Sequence, residues 1–373
     1  MILPRQSLLR LARGKNPIIH STSSFLDGQF QPASLDLSLD GPIYCMRVSG
    51  LPRRGERVRD LIDRHARYHF ELTLEENRVL EQKNWYLIRL AESFSLPPGY
   101  SAKFSPKSST GRGGVFVRVI GDTSHYDFTE PGYEGPLFLE VYPYVWSIRV
   151  ALGLCMTQAR FKEHGGKPLV DREIVDLHCE HGILLSKTGK AIPVNQTVIR
   201  NGKIYLHLDL QRKIVGWRTK DSVVGELEMN RKEYHKIEDF FEPIPGPVDE
   251  IIVTPGHMYL FSTVERIRIP ESHCGQLDER TTEAAEGRQH IAGFFDPFFG
   301  GEEGKHGVLE YIPDANFGPE RLVHGQIMAS MLFESLSERP DKVYGEEIGS
   351  HYIGGSEPQL PKYFKDWDTA WSE

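Results

Sequence analysis

Two short segments carry side chains able to do chemistry. Ser105–Gly114 reads SPKSSTGRGG and places Lys107, Ser108, Ser109 and Arg112 within six residues. Cationic charge, hydroxyl donors and glycine backbone open to close approach are what phosphate oxygens require. The GxxxxGK[ST] spacing of a P-loop is absent. A solvated Ser/Gly-rich loop is the competing reading. The second segment, Pro131–Val141, reads PGYEGPLFLEV, a Pro-Gly turn followed by Tyr133, a second glycine and a strand with Glu140 between Leu139 and Val141. Strand alternation turns Glu140 away from its two apolar neighbours. A carboxylate on the inner face of a small β domain is costly unless it is used. An outward-facing Glu on an edge strand is the alternative.

These residues need a framework of strands. VFVRVI, PLFLEVYPYV, LCMTQARF, KIYLHLDL, EIIVTP and HGVLEYI all read as strands between frequent turn signals, with Gly 35 and Pro 24 in the chain. Arg57–Arg67 is the clearest internal helix, and Leu322–Ser335 fits either a helix or a closing strand. The expected fold is mainly β, two domains, sandwich or barrel-like. The two domains are suggested by a match of the chain to itself at a shift of 173 residues. Phe30–Leu39 falls on Lys203–Arg212, with Leu35-Asp36-Leu37 on Leu208-Asp209-Leu210, and Trp85–Ser109 falls on Met258–Thr282, with Glu92 on Glu265. The expected division is 1–165 as the first domain and catalytic copy, 166–202 as a polar connection, and 203–373 as the second domain.

The 373 residues are 39% hydrophobic and 26% charged, and the net charge of −8 argues against a nucleic-acid polymer as partner. No apolar stretch approaches the roughly 18 residues of a membrane span. The opening stretch groups Leu8, Leu9 and Leu11 between charges, which suggests a short amphipathic helix rather than a signal peptide. Four scattered cysteines without a CxxC pair point to a reducing cytoplasm. His178-Cys179-Glu180-His181 is the one metal-like cluster, and adjacent residues rarely converge on one ion, so it is read as structural.

QPASLDLSL, KSSTGR, Thr123-Ser124-His125, and PGYEG leading into LFLEV, in this order, resemble the deoxycytidine triphosphate deaminases, which belong to the dUTPase-like superfamily of distorted β-barrels. The likeness covers most of 28–160 and, more faintly, 203–360, so the chain resembles a tandem form of the family. The resemblance implies hydrolysis of dCTP to dUTP and ammonia, with no zinc and with Mg2+ carried by the triphosphate. It implies Glu140 as the group that takes a proton from water and delivers it to the base and the leaving amine. Ser108 and Arg112 would hold the water and Glu140, and Lys107, Ser109 and the loop amides would hold phosphates. The zinc route to the same reaction needs an HxE…PCxxC pattern, which is absent.

In the family an aromatic ring of the hairpin excludes a 2′-hydroxyl and an acid before it binds the 3′-hydroxyl. The ring is Tyr133 in the first copy and Phe299 in the second. Asp296 fills the acidic position of the second copy within AGFFDPFFGG, together with Ala292; the first copy has Glu130 there and offers Asp127 nearby, with His125 in the preceding segment. The second copy has Ala285 where the first has Arg112, and Glu310 where the first has Glu140. The first copy therefore holds the fuller catalytic set, with Glu310 as the alternative base. Val343–Phe364, including Tyr352, resembles the mobile tail that closes over the triphosphate. Family sites lie between neighbouring domains in a three-fold ring, so a homotrimer is expected. A dUTPase, a bifunctional deaminase and dUTPase, or a non-catalytic nucleotide-binding regulator are the rival functions.

Overall fold

The structure, a computed structural model, describes residues 1–163, 165–278, 288–289, 293–353, 357–366 and 368–371. Strands dominate, as expected. The chain divides into two compact units. One comprises 1–166 with 225–231 and 336–342; the other comprises 167–224, 232–335 and 343–373.

In the first unit the strands are hydrogen-bonded in the order Val115–Ile120, Glu134–Pro143, Trp85–Ser95, Leu35–Met46, Cys155–Glu163, Tyr100–Pro106, Phe128–Thr129. One strand joins the two halves of this sheet. Leu35–Met46 pairs with Cys155–Glu163 through its first residues and runs along Trp85–Ser95 from Leu39 onward. It bends between Leu39 and Ile43, where Gly41 adopts φ +76. Glu92 holds the bend. Its buried carboxylate accepts the Ser38 backbone N–H and hydroxyl, both at 2.9 Å, and the Gln29 amide at 2.8 Å. Burial pushes the Glu92 carboxyl above the usual carboxylate range.

The expected internal helix forms over Val58–His65, and the chain turns into the strand Ala66–Phe70 directly after it. Val58, Leu61 and Ile62 lie three and four apart on one face and pack against Tyr44, Met46, Leu87, Ile120 and Phe138. The opening stretch is a helix, Arg5–Arg13, with Leu8 fully buried.

In the second unit, residues expected to be a connection are structural. Asp171–His181 is a helix whose first turn is closed by Glu173 accepting the Val170 N–H at 2.9 Å. Ile174 and Leu177 enter the core with Leu206, Phe261 and Tyr311. Leu184-Leu185 pairs with the strand Tyr259–Ile267. His178 is buried in this arrangement, with Nε2 2.6 Å from the Ile192 carbonyl and Nδ1 accepting the Leu184 N–H at 3.4 Å. Leu322–Ser335 resolves into strands, Glu320–Val323 and Ile327–Ser335.

The pairing of the first unit recurs in the second. Leu87 faces Glu140 and Leu260 faces Glu310; Ser105 faces Gln158 and Asp278 faces Ser330. The shift of 173 holds for Leu87 and Ser105, but the first block of the sequence match is out of register. Leu39 faces Leu90, whereas Leu208 faces Thr263, and the bend-holding role of Ser38 with Glu92 passes to His207 with Glu265. Asp36 therefore does not correspond to Asp209. Side chains on a strand alternate with period two, so sliding LDLSL by four residues still lays apolar on apolar. The four residues are an insertion in the bend: 40–42 join Leu39 to Ile43, and 209–215 join Leu208 to Gly216.

Candidate active site

Glu140 sits on an inner strand of its sheet. Glu134–Pro143 is bonded to Trp85–Ser95 on one side and to Val115–Ile120 on the other, so the edge-strand alternative is overturned. Leu139 and Val141 are fully buried on one face, and Glu140, 4% exposed, is on the other with Phe138. Its two oxygens are held unequally. Arg118, directly opposite on Val115–Ile120, gives Oε2 two N–H contacts, from Nη2 at 2.7 Å and from Nε at 3.2 Å. Oε1 accepts the Gly50 backbone N–H at 3.3 Å. Arg118 is fixed in turn by the Ser49 hydroxyl at 2.9 Å and by the face of Tyr126, 3.8 Å from its centroid. Sequence reasoning missed Arg118, Ser49 and Gly50. A sign of Arg118 was present: in VFVRVI the one cation alternates with Val117 and Val119, so it shares the face of the carboxylate on a paired strand.

The KSSTGR segment forms a short helix, Ser108–Arg112, between Tyr100–Pro106 and Val115–Ile120. Ser109 and Thr110 are buried, and the Thr110 hydroxyl donates to the Met156 carbonyl at 3.0 Å. Lys107, expected at phosphate, pairs through Nζ with the buried carboxylate of Asp36. Ser108 and Arg112 are partly exposed at the head of the strand. Among the described residues the Glu140 carboxylate is held by Arg118 and Gly50.

The remaining candidate residues of the first unit serve the turn between Val115–Ile120 and Glu134–Pro143. Asp127, at φ +55, accepts the Val119 N–H on Oδ1 at 2.7 Å. His125 is exposed and pairs with Glu130 at 3.0 Å. Tyr133 is 7% exposed, and its hydroxyl donates to the Pro136 carbonyl at 2.6 Å. A Cβ on Gly121 would lie 2.6 Å from the Tyr133 hydroxyl, so this glycine is needed for the ring to seat. Burial pushes the Tyr133 phenol well above its usual range.

The second unit differs. Glu310 is 5% exposed on Lys305–Ile312, opposite Leu260. Asp296 is buried, and its carbonyl accepts the Phe299 N–H at 3.0 Å. The Phe299 ring is partly buried, 4.8 Å from Phe295 and 5.4 Å from Tyr344 between ring centroids. Ala292, and the Arg280–Ala285 stretch matched to KSSTGR, lie outside the described residues. The tail does meet this hairpin. Tyr344 N–H donates to the Pro297 carbonyl at 2.9 Å, and Lys305 Nζ donates to the Tyr352 carbonyl at 3.1 Å and to Gln359 at 2.6 Å. A cavity of about 380 Å³ between them is lined by Phe298, Gly300, Lys305, Tyr344 and Tyr352. Leu360, Tyr363 and Phe364 of the tail are core. Phe364 is fully buried, with Phe240 and Phe241 each 5.4 Å away.

The family models for the 2′-deoxycytidine 5′-triphosphate deaminase N-terminal domain and C-terminal domain match residues 1–165 and 170–364. The chain belongs to the 2′-deoxycytidine 5′-triphosphate deaminase family. The crystal structure of 2′-deoxycytidine 5′-triphosphate deaminase from Agrobacterium tumefaciens is similar at a TM-score of 0.81 and 32% identity, covering 91% of this chain and 99% of that one. A protein of Methanosphaera stadtmanae named "dCTP deaminase, dUMP-forming" is 28% identical over 136 residues, which are 35% of this chain and 66% of that protein. One of the same name from Bifidobacterium animalis subsp. lactis is 31% identical over 128 residues, 34% of this chain and 64% of that protein. The chain thus spans just under two thirds of the length of these two relatives.

Proposed function

We propose that the protein hydrolyses the 4-amino group of dCTP, consuming water and releasing dUTP and ammonia. The observation that carries this reading is Glu140, a carboxylate 4% exposed on an inner strand, in a chain of the dCTP deaminase family. In this reading Glu140 takes a proton from water as the oxygen attacks C4, then returns it to N3 and the departing amine. Ser108 and Arg112 of a neighbouring domain hold the water and the carboxylate, and Lys107 and Ser109 face the triphosphate, which arrives with Mg2+. Within its own unit the Glu140 carboxylate is held by Arg118 and Gly50, and in this reading the KSSTGR segment that meets it comes from another chain of a three-fold homo-oligomer. Recurrence of the glutamate register supports reading the units as copies of one ancestral domain, with Glu310 as the alternative base.

A second reading has dUTP cleaved further to dUMP and pyrophosphate. It is favoured by the relatives named as dUMP-forming. No described helix is long and apolar enough to cross a membrane, and a reducing cytoplasm is the compartment this reading expects. Incubation with dCTP and Mg2+, resolving dCTP, dUTP and dUMP while measuring ammonia, tests both readings. Ammonia with dUTP supports the first, ammonia with dUMP and pyrophosphate the second, and no ammonia refutes both.

A further inference from the structure

We infer that Arg118 is the positioning residue of the Glu140 carboxylate and determines which of its oxygens does the chemistry. The inference rests on the reading of Glu140 as proton carrier. Arg118 binds Oε2 with two guanidinium nitrogens, at 2.7 and 3.2 Å. Two donors from one rigid plane fix the rotamer of the carboxylate, not only its charge. The plane is itself held from two other directions, by the Ser49 hydroxyl at 2.9 Å and by Tyr126 at 3.8 Å, with Trp85 at 6.0 Å. Oε1 has a single longer contact, the Gly50 N–H at 3.3 Å. An oxygen bound twice by a cation is a poor acceptor for a further proton, so Oε2 is spent on orientation. Oε1 is the oxygen left to water, which displaces a weak amide contact to reach it. Arg118 touches no reacting atom; it acts through Glu140.

A positioning role is separable from a packing role by what changes. Lysine at 118 keeps the charge but is a point donor, unable to bind Oε2 through a planar fork while holding the Ser49 hydroxyl. Misplacement of a catalytic group by about 1 Å costs roughly 100-fold. Arg118→Lys and Arg118→Gln should be compared with the unmutated protein and Glu140→Gln for kcat, KM with Mg·dCTP, and melting temperature. The expected result is Arg118→Lys folded, with KM within about twofold and kcat lowered about 10- to 100-fold, and Arg118→Gln lower still. Folded Arg118→Lys with unchanged kcat overturns the inference, as does a loss confined to KM or to melting temperature. If Arg118→Gln does not fold, the lysine variant decides alone. If Glu140→Gln keeps its activity, the reading of Glu140 falls and the inference with it; a dead Glu140→Gln beside a normal Arg118→Lys removes the inference only.

Discussion

Glu140→Gln separates catalysis from structure because the consequences of the change can be worked out atom by atom. The amide keeps one acceptor. Turned toward Arg118, that oxygen still receives the two guanidinium contacts, but the amide nitrogen then faces the Gly50 N–H, donor against donor. One hydrogen bond is lost, and Arg118 keeps a positive charge without its counter-charge. Arg118 has 24% of its side chain exposed, so water relieves part of that cost. A lost hydrogen bond of about 1 kcal/mol plus a partly screened charge gives a total near 1–3 kcal/mol. At roughly 2–4 °C per kcal/mol, the melting temperature should fall by about 2–12 °C. A domain stable by 5–15 kcal/mol stays folded at 25 °C after such a loss. Activity should fall much further, by at least the 10²–10⁴-fold typical of a general acid–base group. Ammonia release and nucleotide separation measure the first effect, and thermal unfolding the second. A folded Glu140→Gln variant with kcat within about tenfold of the unmutated protein refutes the assignment. A dead Glu310→Gln beside an active Glu140→Gln would move the chemistry to the second unit.

Other expectations follow from particular residues. His306 is buried, with Nδ1 2.8 Å from the Thr263 carbonyl, and burial, aided by Arg212, lowers its pKa to about 3. The unfolded chain binds a proton below the ordinary value near 6.5 and the folded chain does not, so stability falls as pH drops from about 6.5 toward 3. Urea unfolding of His306→Asn, which keeps a donor for Thr263, should show a flatter acid limb; an unchanged limb would place the sensitivity elsewhere. Phe364→Ala removes a fully buried ring and should cost about 3–5 kcal/mol, against near zero for a mobile tail, read by thermal unfolding. CTP should be a poorer substrate than dCTP by about tenfold to a few hundredfold if a hairpin ring excludes the 2′-hydroxyl. Equal kcat/KM for the two would remove that assignment.

The sequence made the strands legible because alternation and turn residues act locally. VFVRVI is the strand Val115–Ile120, and HGVLEYI lies within Lys305–Ile312. The carboxylate at 140 was legible for the same reason, since one charged residue among Leu139, Val141 and Phe138 must choose a face. What could not be read was anything set by pairing between distant strands. Arg118 is opposite Glu140 because Val115–Ile120 is placed beside Glu134–Pro143, a choice local pattern does not state. Asp171–His181 was hidden by its polar exposed face; only Ile174, Leu177 and His178 are buried.

The register error between Leu35-Asp36-Leu37 and Leu208-Asp209-Leu210 shows how such a limit works. Period-two patterns cannot distinguish shifts of two or four, so matched letters inside a strand say little about which residues are equivalent. Side-chain hydrogen bonds say more, because each needs one partner in one place. Glu92 with the Ser38 N–H and Glu265 with the His207 N–H identify the equivalent positions. The two bends then differ in chemistry. In the second, Glu265 faces an imidazole at Nδ1 and raises the His207 pKa against the opposing effect of burial. That pairing stabilises the fold most fully below the ordinary histidine pKa and fades as pH rises through the raised one. In the first bend Ser38 takes that place, and the dependence comes from Glu92 itself: burial raises its pKa, so the fold loses stability as pH rises from the ordinary carboxylate value through the raised one. A buried glutamate is thus not by itself a catalytic one: Glu92 and Glu265 secure bends, and Glu140 differs from them in the guanidinium brought to it across the sheet and the Gly50 amide brought by a loop.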